Sequence, residues 1–176
     1  GAAQAMGHIT GGLQHKPDNI DDQLFELAKT MLKSGLGGGA MTLAVPLEAK
    51  CEPPKPAGAN ARVGLVSNHA YSVLDTGGGP DVAWAGGRSF MRLRNPWGDA
   101  DASGLCEWTG PWSDGSREWE RNPEIHKRLI TDRGYDAADS ADGAFWMELS
   151  DIRKYFAWPA CKMLMLARFY RACHLA

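Results

Sequence analysis

The sequence has no excess of basic residues and no long apolar segment. Nineteen Lys and Arg stand against 21 Asp and Glu, a formal net charge of −2, so we expect no nucleic-acid partner. The apolar stretches fall far short of the ~20 residues that cross a bilayer, so no transmembrane segment is expected. An initiator Met and the charged and apolar blocks of a signal peptide are also missing at the start. We therefore interpret the chain as a piece of a longer protein.

Cysteine is scarce as well. Four cysteines in 176 residues are too few for a disulfide scaffold, and the lack of a Cys-x-x-Cys pair disfavours a zinc ribbon or a thioredoxin-type redox site. Reduced thiols in a cytoplasmic protein are the simplest interpretation. The length and the near-average content of apolar and charged residues predict a single folded domain over residues 1–176. The four residues are Cys51, Cys106, Cys161 and Cys173.

Turn-forming residues divide the chain into short segments. Glycine and proline concentrate in residues 35–39, 52–58 and 76–80, which predicts loops there. Apolar residues at three- and four-residue spacing predict a helix from Asp21 to Ser34, with Asp18 or Asn19 as its N-terminal cap and Gly35 at its end. Two further helices are expected over residues 123–130 and 150–156.

The remaining ordered segments have the character of β-strands. Short runs rich in aliphatic and aromatic residues occupy residues 41–45, 69–74, 90–94 and 162–170, each bounded by turn formers. In the third run the apolar residues alternate with Arg92 and Arg94, which we expect to face solvent. The fold class predicted from these elements is α+β: an antiparallel β-sheet or small open barrel with helices on one side.

One histidine and one asparagine lie at the ends of two consecutive predicted strands, at positions that a hairpin would bring side by side. His69 begins a predicted strand, and Asn95 ends the next one, 95 − 69 = 26 residues later. An amide oxygen can hold one imidazole nitrogen while the other nitrogen faces a nucleophile. If the two residues act together, their side chains should lie within hydrogen-bond range, with Trp97 against them and shielding the contact from water. A structural histidine and an ordinary turn with a buried aromatic are the alternatives.

Four motifs resemble the calpain cysteine proteases in order and spacing. A fifth, Thr10-Gly11-Gly12, resembles the motif that opens the same region, so the likeness extends from about Ile9 to Leu166. It implies the second half of the calpain protease core, which is related to the β-rich half of papain-like peptidases. It also implies that His69 and Asn95 belong to a Cys-His-Asn triad with Trp97 packed beside them. The four motifs are Gly64-Leu65-Val66-Ser67-Asn68-His69-Ala70-Tyr71-Ser72-Val73, Arg92-Leu93-Arg94-Asn95-Pro96-Trp97-Gly98, Glu107-Trp108-Thr109-Gly110-Pro111-Trp112-Ser113-Asp114 and Asp142-Gly143-Ala144-Phe145-Trp146-Met147.

The nucleophile of such a triad is missing from this sequence. In papain-like enzymes the Cys and its oxyanion glutamine come from the upstream half, and none of the four cysteines here has the Gln-x5-Cys-Trp context. Cys106 follows an extra loop, and nothing orients a base toward it. We therefore expect a fragment that is inactive alone, with the Cys-bearing half of the same protein as its partner and a peptide or protein as substrate. The alternative is a non-catalytic scaffolding or peptide-binding protein whose upstream half lacks the Cys.

The resemblance also implies a calcium site. It assigns the acidic ligands to Glu107, Asp114 and Asp142, whereas the family's further glutamate, two residues after Asp142, is Ala144 here. Because Ca²⁺ takes about 6–8 oxygen ligands, the loss of one carboxylate should weaken binding without abolishing it. Calcium dependence is therefore expected to be weakened. Solvated loop carboxylates are the alternative interpretation of these three residues.

Overall fold

Six antiparallel strands form one sheet in the described part of the computed structural model. That part comprises residues 13–15, 20–33, 40–45, 63–65, 69–96, 107–136, 142–156 and 164–168. The strand order is β1-β6-β2-β3-β4-β5, and every pairing is antiparallel. The linear order gives an open sheet. The strands are β1 (Leu13–His15), β2 (Ala40–Val45), β3 (His69–Gly78), β4 (Ser89–Arg94), β5 (Ala144–Glu148) and β6 (Leu164–Arg168).

Four α-helices accompany the sheet in the same described residues. They are α1 (Asp22–Lys33), α2 (Arg117–Arg121), α3 (Pro123–Leu129) and α4 (Leu149–Phe156), and 3-10 turns form at Ala83–Ala85 and Thr131–Arg133. The α+β class and the three expected helices are confirmed. The short helix α2 and the strands β1 and β5 were not expected. The run that forms β5 is apolar on both faces, so it lacks the alternation that marks a half-buried strand.

The N-terminus of α1 differs from the sequence prediction. The Asp21 carboxylate accepts a hydrogen bond from the Leu24 N–H at 2.9 Å, so Asp21 is the cap. The expected caps, Asp18 and Asn19, were therefore wrong, and both lie outside the described residues. An Asp side chain is short and caps the backbone amide about three residues ahead of it. Because the helix begins at Asp22, the residue in position to cap it is Asp21.

Two hydrophobic cores cover the two faces of the sheet. On the first face α1 and α4 pack against alternate residues of β2 to β5, and on the second a Trp-rich loop packs with α2 and α3. The expectation of helices on one side was therefore wrong. Alternation within single strands explains why: Met91 and Met147 join the first core, whereas Phe90 and Trp146 join the second. Burying each such large side chain contributes about 1.5–3 kcal/mol, so neither face can be left in water.

The second core also explains why Arg92 does not face solvent. Its side chain is only 11% exposed. The guanidinium carbon lies 4.0 Å from the centre of the Tyr135 ring, and Nη2 donates to Asp142 Oδ2 at 3.1 Å. The outward position expected for Arg92 is thus wrong, while Arg94 is exposed as expected.

Among the described residues no helix combines the length and the apolar character that a bilayer crossing demands.

Gly64 allows two segments to approach closely, which leads to a stability prediction. A Cβ at this position would lie 1.6 Å from the Glu107 carbonyl oxygen, and the φ angle is +76°. We expect Gly64→Ala to lower the free energy of unfolding by about 3 kcal/mol, since it combines left-handed strain with a backbone clash. The matched control is Gly134→Ala, where φ is +70° and nothing lies within 4 Å, so that only about 1–2 kcal/mol of strain applies. Urea denaturation followed by tryptophan fluorescence measures both, and equal losses would contradict the close approach.

Candidate active site and acidic cluster

The sheet brings His69 and Asn95 into direct contact. His69 is the first residue of β3, and Asn95 follows the last residue of β4. Because the two strands are antiparallel neighbours, the start of one lies beside the end of the other. The His69 Nε2 atom lies 2.8 Å from Asn95 Oδ1. The contact expected from the sequence is therefore present, whereas the catalytic roles of the two residues stay a prediction.

The surroundings fix both side chains. Asn95 is fully buried, and the His69 ring makes an edge-on contact with the ring of Tyr71 at 5.2 Å between centres. An amide oxygen only accepts hydrogen bonds, so in this contact the imidazole carries its proton on Nε2. The other ring nitrogen, Nδ1, is then the atom that can take a proton from a nucleophile. Trp97 and the four cysteines lie outside the described residues.

The three acidic residues proposed as metal ligands lie together. One carboxylate oxygen from each of Glu107, Asp114 and Asp142 lies within 4.8 Å of the others. Glu107 is 9% exposed, so it is close to full burial, whereas the Asp142 side chain is partly open to solvent. The residues come from two loops that are distant in sequence. The structure thus brings together the three residues that the family resemblance grouped, and their role as metal ligands stays a prediction.

In the described part of the chain, one arginine side chain and two backbone amides donate to this cluster. Arg92 donates to Asp142 Oδ2 at 3.1 Å, and two backbone amides contribute as well: Gly143 N–H to Glu107 Oε1 at 2.7 Å and Ala144 N–H to Asp142 Oδ1 at 2.6 Å. Asp114 Oδ2 is buried and has no hydrogen-bond partner among the described residues. A buried acceptor without a donor is costly, so this oxygen is available to a cation.

The pKa of Asp114 is raised to about 8 by the burial of its side chain and by the acidic residues beside it. Burial is the largest cause, followed by the charge of Glu107, a hydrogen bond with Glu107 and the charge of Asp142, while Arg92 acts in the opposite direction. A proton on Asp114 thus relieves the repulsion among the three carboxylates. A divalent cation at the same place would remove the need for that proton.

Two contributors to this region were not identified from the sequence as site residues. Gly143 accepts a hydrogen bond from the Asn95 N–H at 2.8 Å through its carbonyl oxygen, and Arg92 reaches the cluster instead of solvent. The positive φ of Gly143, 74°, is typical of an Asp-Gly turn. The Asp-Gly dipeptide was the only feature of the local sequence that marked this position, and it does not indicate which residues Gly143 contacts.

The raised pKa of Asp114 predicts how stability depends on pH. Between about pH 4 and pH 8 the folded chain keeps the Asp114 proton while the unfolded chain, with the ordinary value of 3.8, has lost it. The folded state then binds more protons, so the free energy of unfolding falls as pH rises through this window. Asp114→Asn removes that fall. We expect the difference in free energy of unfolding, variant minus unmodified chain, to be about 1–2 kcal/mol larger at pH 8 than at pH 5, after allowing for solvent screening.

Urea denaturation at the two pH values in the presence of a chelator measures this difference. Asp132→Asn is the control, since it removes one exposed aspartate charge outside the cluster, together with its surface ion pair to Lys127. If Asp114→Asn and the unmodified chain lose stability in parallel from pH 5 to pH 8, the proton does not reside on Asp114.

Comparisons with known proteins agree with the motifs. The model of the calpain family cysteine proteases matches residues 1–161. Calpain-9 of Mus musculus is 36% identical over 162 residues, covering 88% of this chain and 20% of that protein. Calpain-5 of Mus musculus is 32% identical over 167 residues (88% and 24%), and a calpain of Schistosoma mansoni is 33% identical over 164 residues (88% and 18%). The chain spans about a fifth of the length of these relatives. It belongs to the calpain family of cysteine proteases.

Proposed function

We propose that this chain is the His/Asn half of a calpain-like cysteine endopeptidase. In this proposal residues 1–176 form one domain, the second half of the protease core, and the nucleophilic Cys comes from the upstream half. The observation that supports it most directly is the 2.8 Å contact between His69 Nε2 and Asn95 Oδ1 in a chain of this family. The four cysteines lack the context of a papain-type nucleophile, which supports a separate Cys-bearing half.

His69 acts as general base and then as general acid. Its Nδ1 takes the proton of the upstream Cys thiol, and the thiolate attacks the carbonyl carbon of a peptide bond. His69 returns the proton to the leaving amine, and the enzyme is left with a thioester. A water molecule then gives a proton to Nδ1 while its oxygen attacks the thioester carbonyl. The C–S bond breaks, the acyl group leaves as a carboxylic acid, and the proton returns from Nδ1 to the sulfur. Asn95 Oδ1 holds Nε2–H throughout and so keeps Nδ1 directed at the thiol.

The acidic cluster is proposed as a calcium site held by Glu107, Asp114 and Asp142. Carboxylate oxygens are the ligands that Ca²⁺ prefers, and the buried Asp114 Oδ2 has no other partner in the described chain. The ion would neutralise the cluster and order its two loops. Ala144 offers no side-chain oxygen, so the affinity should be low. A cytoplasmic location is proposed with it, supported by the scarcity of cysteines.

Reconstitution tests the catalytic proposal. We expect no peptidase activity from this chain alone and cleavage of a generic peptide substrate once the purified upstream half is added. His69→Ala should lower kcat of the mixture by on the order of 10²–10⁴-fold, because the general base is lost. Asn95→Ala should lower it less, because the base remains but is held less firmly. His126→Ala is the matched control on α3 and should leave kcat unchanged.

Two results would overturn this proposal in different ways. Cleavage by the chain alone that a thiol-alkylating reagent blocks would show a nucleophile within it, and Cys106 would be the first to test. An upstream half with Ser or Gly where the nucleophilic Cys belongs would make the protein a scaffolding or peptide-binding member of the family.

Calcium titration tests the cluster. We expect almost no change in melting temperature at about 10 µM Ca²⁺, and a rise of several degrees only when Ca²⁺ exceeds Kd by about 100-fold, since that ratio contributes about 2.7 kcal/mol. Asp114→Asn should remove the rise, and Asp132→Asn should keep it. A rise of several degrees at about 10 µM would contradict the weakening assigned to Ala144, and no rise at about 10 mM would contradict the calcium site.

A further inference from the structure

Gly143 lies between the His69–Asn95 pair and the acidic cluster and contacts both. On its amino side, the Gly143 N–H donates to Glu107 Oε1 at 2.7 Å. On its carboxyl side, its carbonyl oxygen accepts from the Asn95 N–H at 2.8 Å. The residue is buried. The two peptide groups of one glycine therefore connect a cluster carboxylate to the backbone of the residue that holds His69.

The neighbouring residues restrict these peptide groups further. The Ala144 N–H donates to Asp142 Oδ1 at 2.6 Å, and the Asp142 carbonyl oxygen accepts from Arg94 Nε at 3.3 Å. Each of the two peptide groups is thus held at both its N–H and its C=O. Hydrogen bonds of this length leave little freedom for rotation. A change in the position of the Glu107 or Asp142 carboxylate must move these peptide groups or break their hydrogen bonds.

Asn95 connects these peptide groups to the imidazole. Its backbone N–H is bonded to Gly143 and its side-chain oxygen to His69, so the residue is restrained at both ends. It is fully buried, so it cannot turn aside into solvent. The φ angle of Gly143, 74°, lies in the left-handed region, where a residue with a Cβ is strained by about 1–2 kcal/mol.

We propose that Gly143 is a positioning residue that sets the orientation of Asn95, and through it His69, according to the state of the acidic cluster. This inference rests on the proposed function, because it takes the His69–Asn95 pair as catalytic and the cluster as a cation site. A cation that draws Glu107 and Asp142 into one coordination shell changes the positions of the acceptors of both the Gly143 and the Ala144 amides. The connection runs through backbone groups, so its only side-chain requirement at position 143 is the absence of a Cβ.

The positioning role is tested first without metal, on the 176-residue chain labelled with ¹⁵N in the presence of a chelator. Two readouts are used: hydrogen exchange of the Asn95 backbone amide and the ¹⁵N chemical shifts of the His69 ring. We expect Gly143→Ala to speed Asn95 exchange at least tenfold and to shift the His69 ring signals. Gly86→Ala is the matched control, with φ +59° and only the end of the Arg88 side chain within 4 Å, and should change neither. The Met91 amide, in the core of β4, reports global unfolding in both variants.

A second pair of variants keeps the test valid if Gly143→Ala does not fold. Glu107→Gln and Glu107→Ala both remove the carboxylate charge, but only Gln retains an oxygen that can accept from the Gly143 N–H. We expect the Gln variant to keep the parental His69 signals and slow Asn95 exchange, and the Ala variant to lose both. Identical behaviour of Gln and Ala, or unchanged readouts in Gly143→Ala, would overturn the positioning role.

Calcium chloride then tests whether the cluster state is transmitted. In the unmodified chain the titration of the His69 and Asn95 signals with Ca²⁺ should give the same Kd as the titration followed by melting temperature. In Gly143→Ala the melting temperature should still rise while the His69 signals stay constant. Calcium binding with static His69 and Asn95 signals in the unmodified chain would overturn the transmission and leave the calcium site standing. No rise in melting temperature up to about 10 mM would overturn the calcium site and the transmission together, and the metal-free variants would still decide the positioning role.

Discussion

The antiparallel pairing of β4 with both of its neighbours determines where His69, Asn95 and Asp142 lie relative to one another. On one side β4 pairs with β3, whose first residue is His69, and on the other with β5, which Asp142 and Gly143 precede. Because both pairings are antiparallel, the end of β4 meets the starts of β3 and β5. Asn95 therefore lies between the imidazole and the Asp142 loop. A register shift of one residue in either pairing would turn Asn95 to the other face of the sheet and separate the two parts of the site.

The acidic cluster is an energetic liability within this arrangement. Within the described residues the three carboxylates share one arginine, and burial and like charge raise the pKa of Asp114 to about 8. Such a concentration of like charge opposes folding, and it persists only because the surrounding structure is stable enough to hold it. A cation bound among the three carboxylates would remove their repulsion, and this is the physical argument behind the proposed calcium site.

Part of that support comes from the Trp-rich second core, which anchors the loop that carries Asp114. Trp112, two residues earlier, has a φ of 67° and is the single non-glycine residue with positive φ in the described part of the chain. Its ring packs edge-on against Phe90 and Trp119, at 4.9 and 5.1 Å between centres, and Nε1 donates to Glu148 Oε2 at 3.3 Å. Aromatic contacts of this kind contribute about 0.5–1.5 kcal/mol each beyond burial, enough to offset the backbone strain.

The sequence by itself determined the α+β class, the positions of α1, α3 and α4, the strand that begins at His69 and the strand that Asn95 follows. These features rest on local patterns: helical spacing, apolar alternation and turn formers. The spacing of His69 and Asn95, together with the family motifs, also placed the two side chains in contact. Glu107, Asp114 and Asp142 were grouped through the motifs, since nothing in their local sequence indicates that they meet.

Only the tertiary structure decided which groups surround these residues. Arg92 was expected in water because alternation along β4 shows which residues share a face, but not what covers that face. The Tyr135 ring lies against its guanidinium, and Asp142, 50 residues away in the sequence, pairs with it. Gly143 likewise has no side chain that would mark it in the sequence, and the role proposed for it depends on backbone hydrogen bonds with Asn95 and Glu107. Such partners are set by the pairing of β4 with β5 and by the close packing of loops, which no local pattern records.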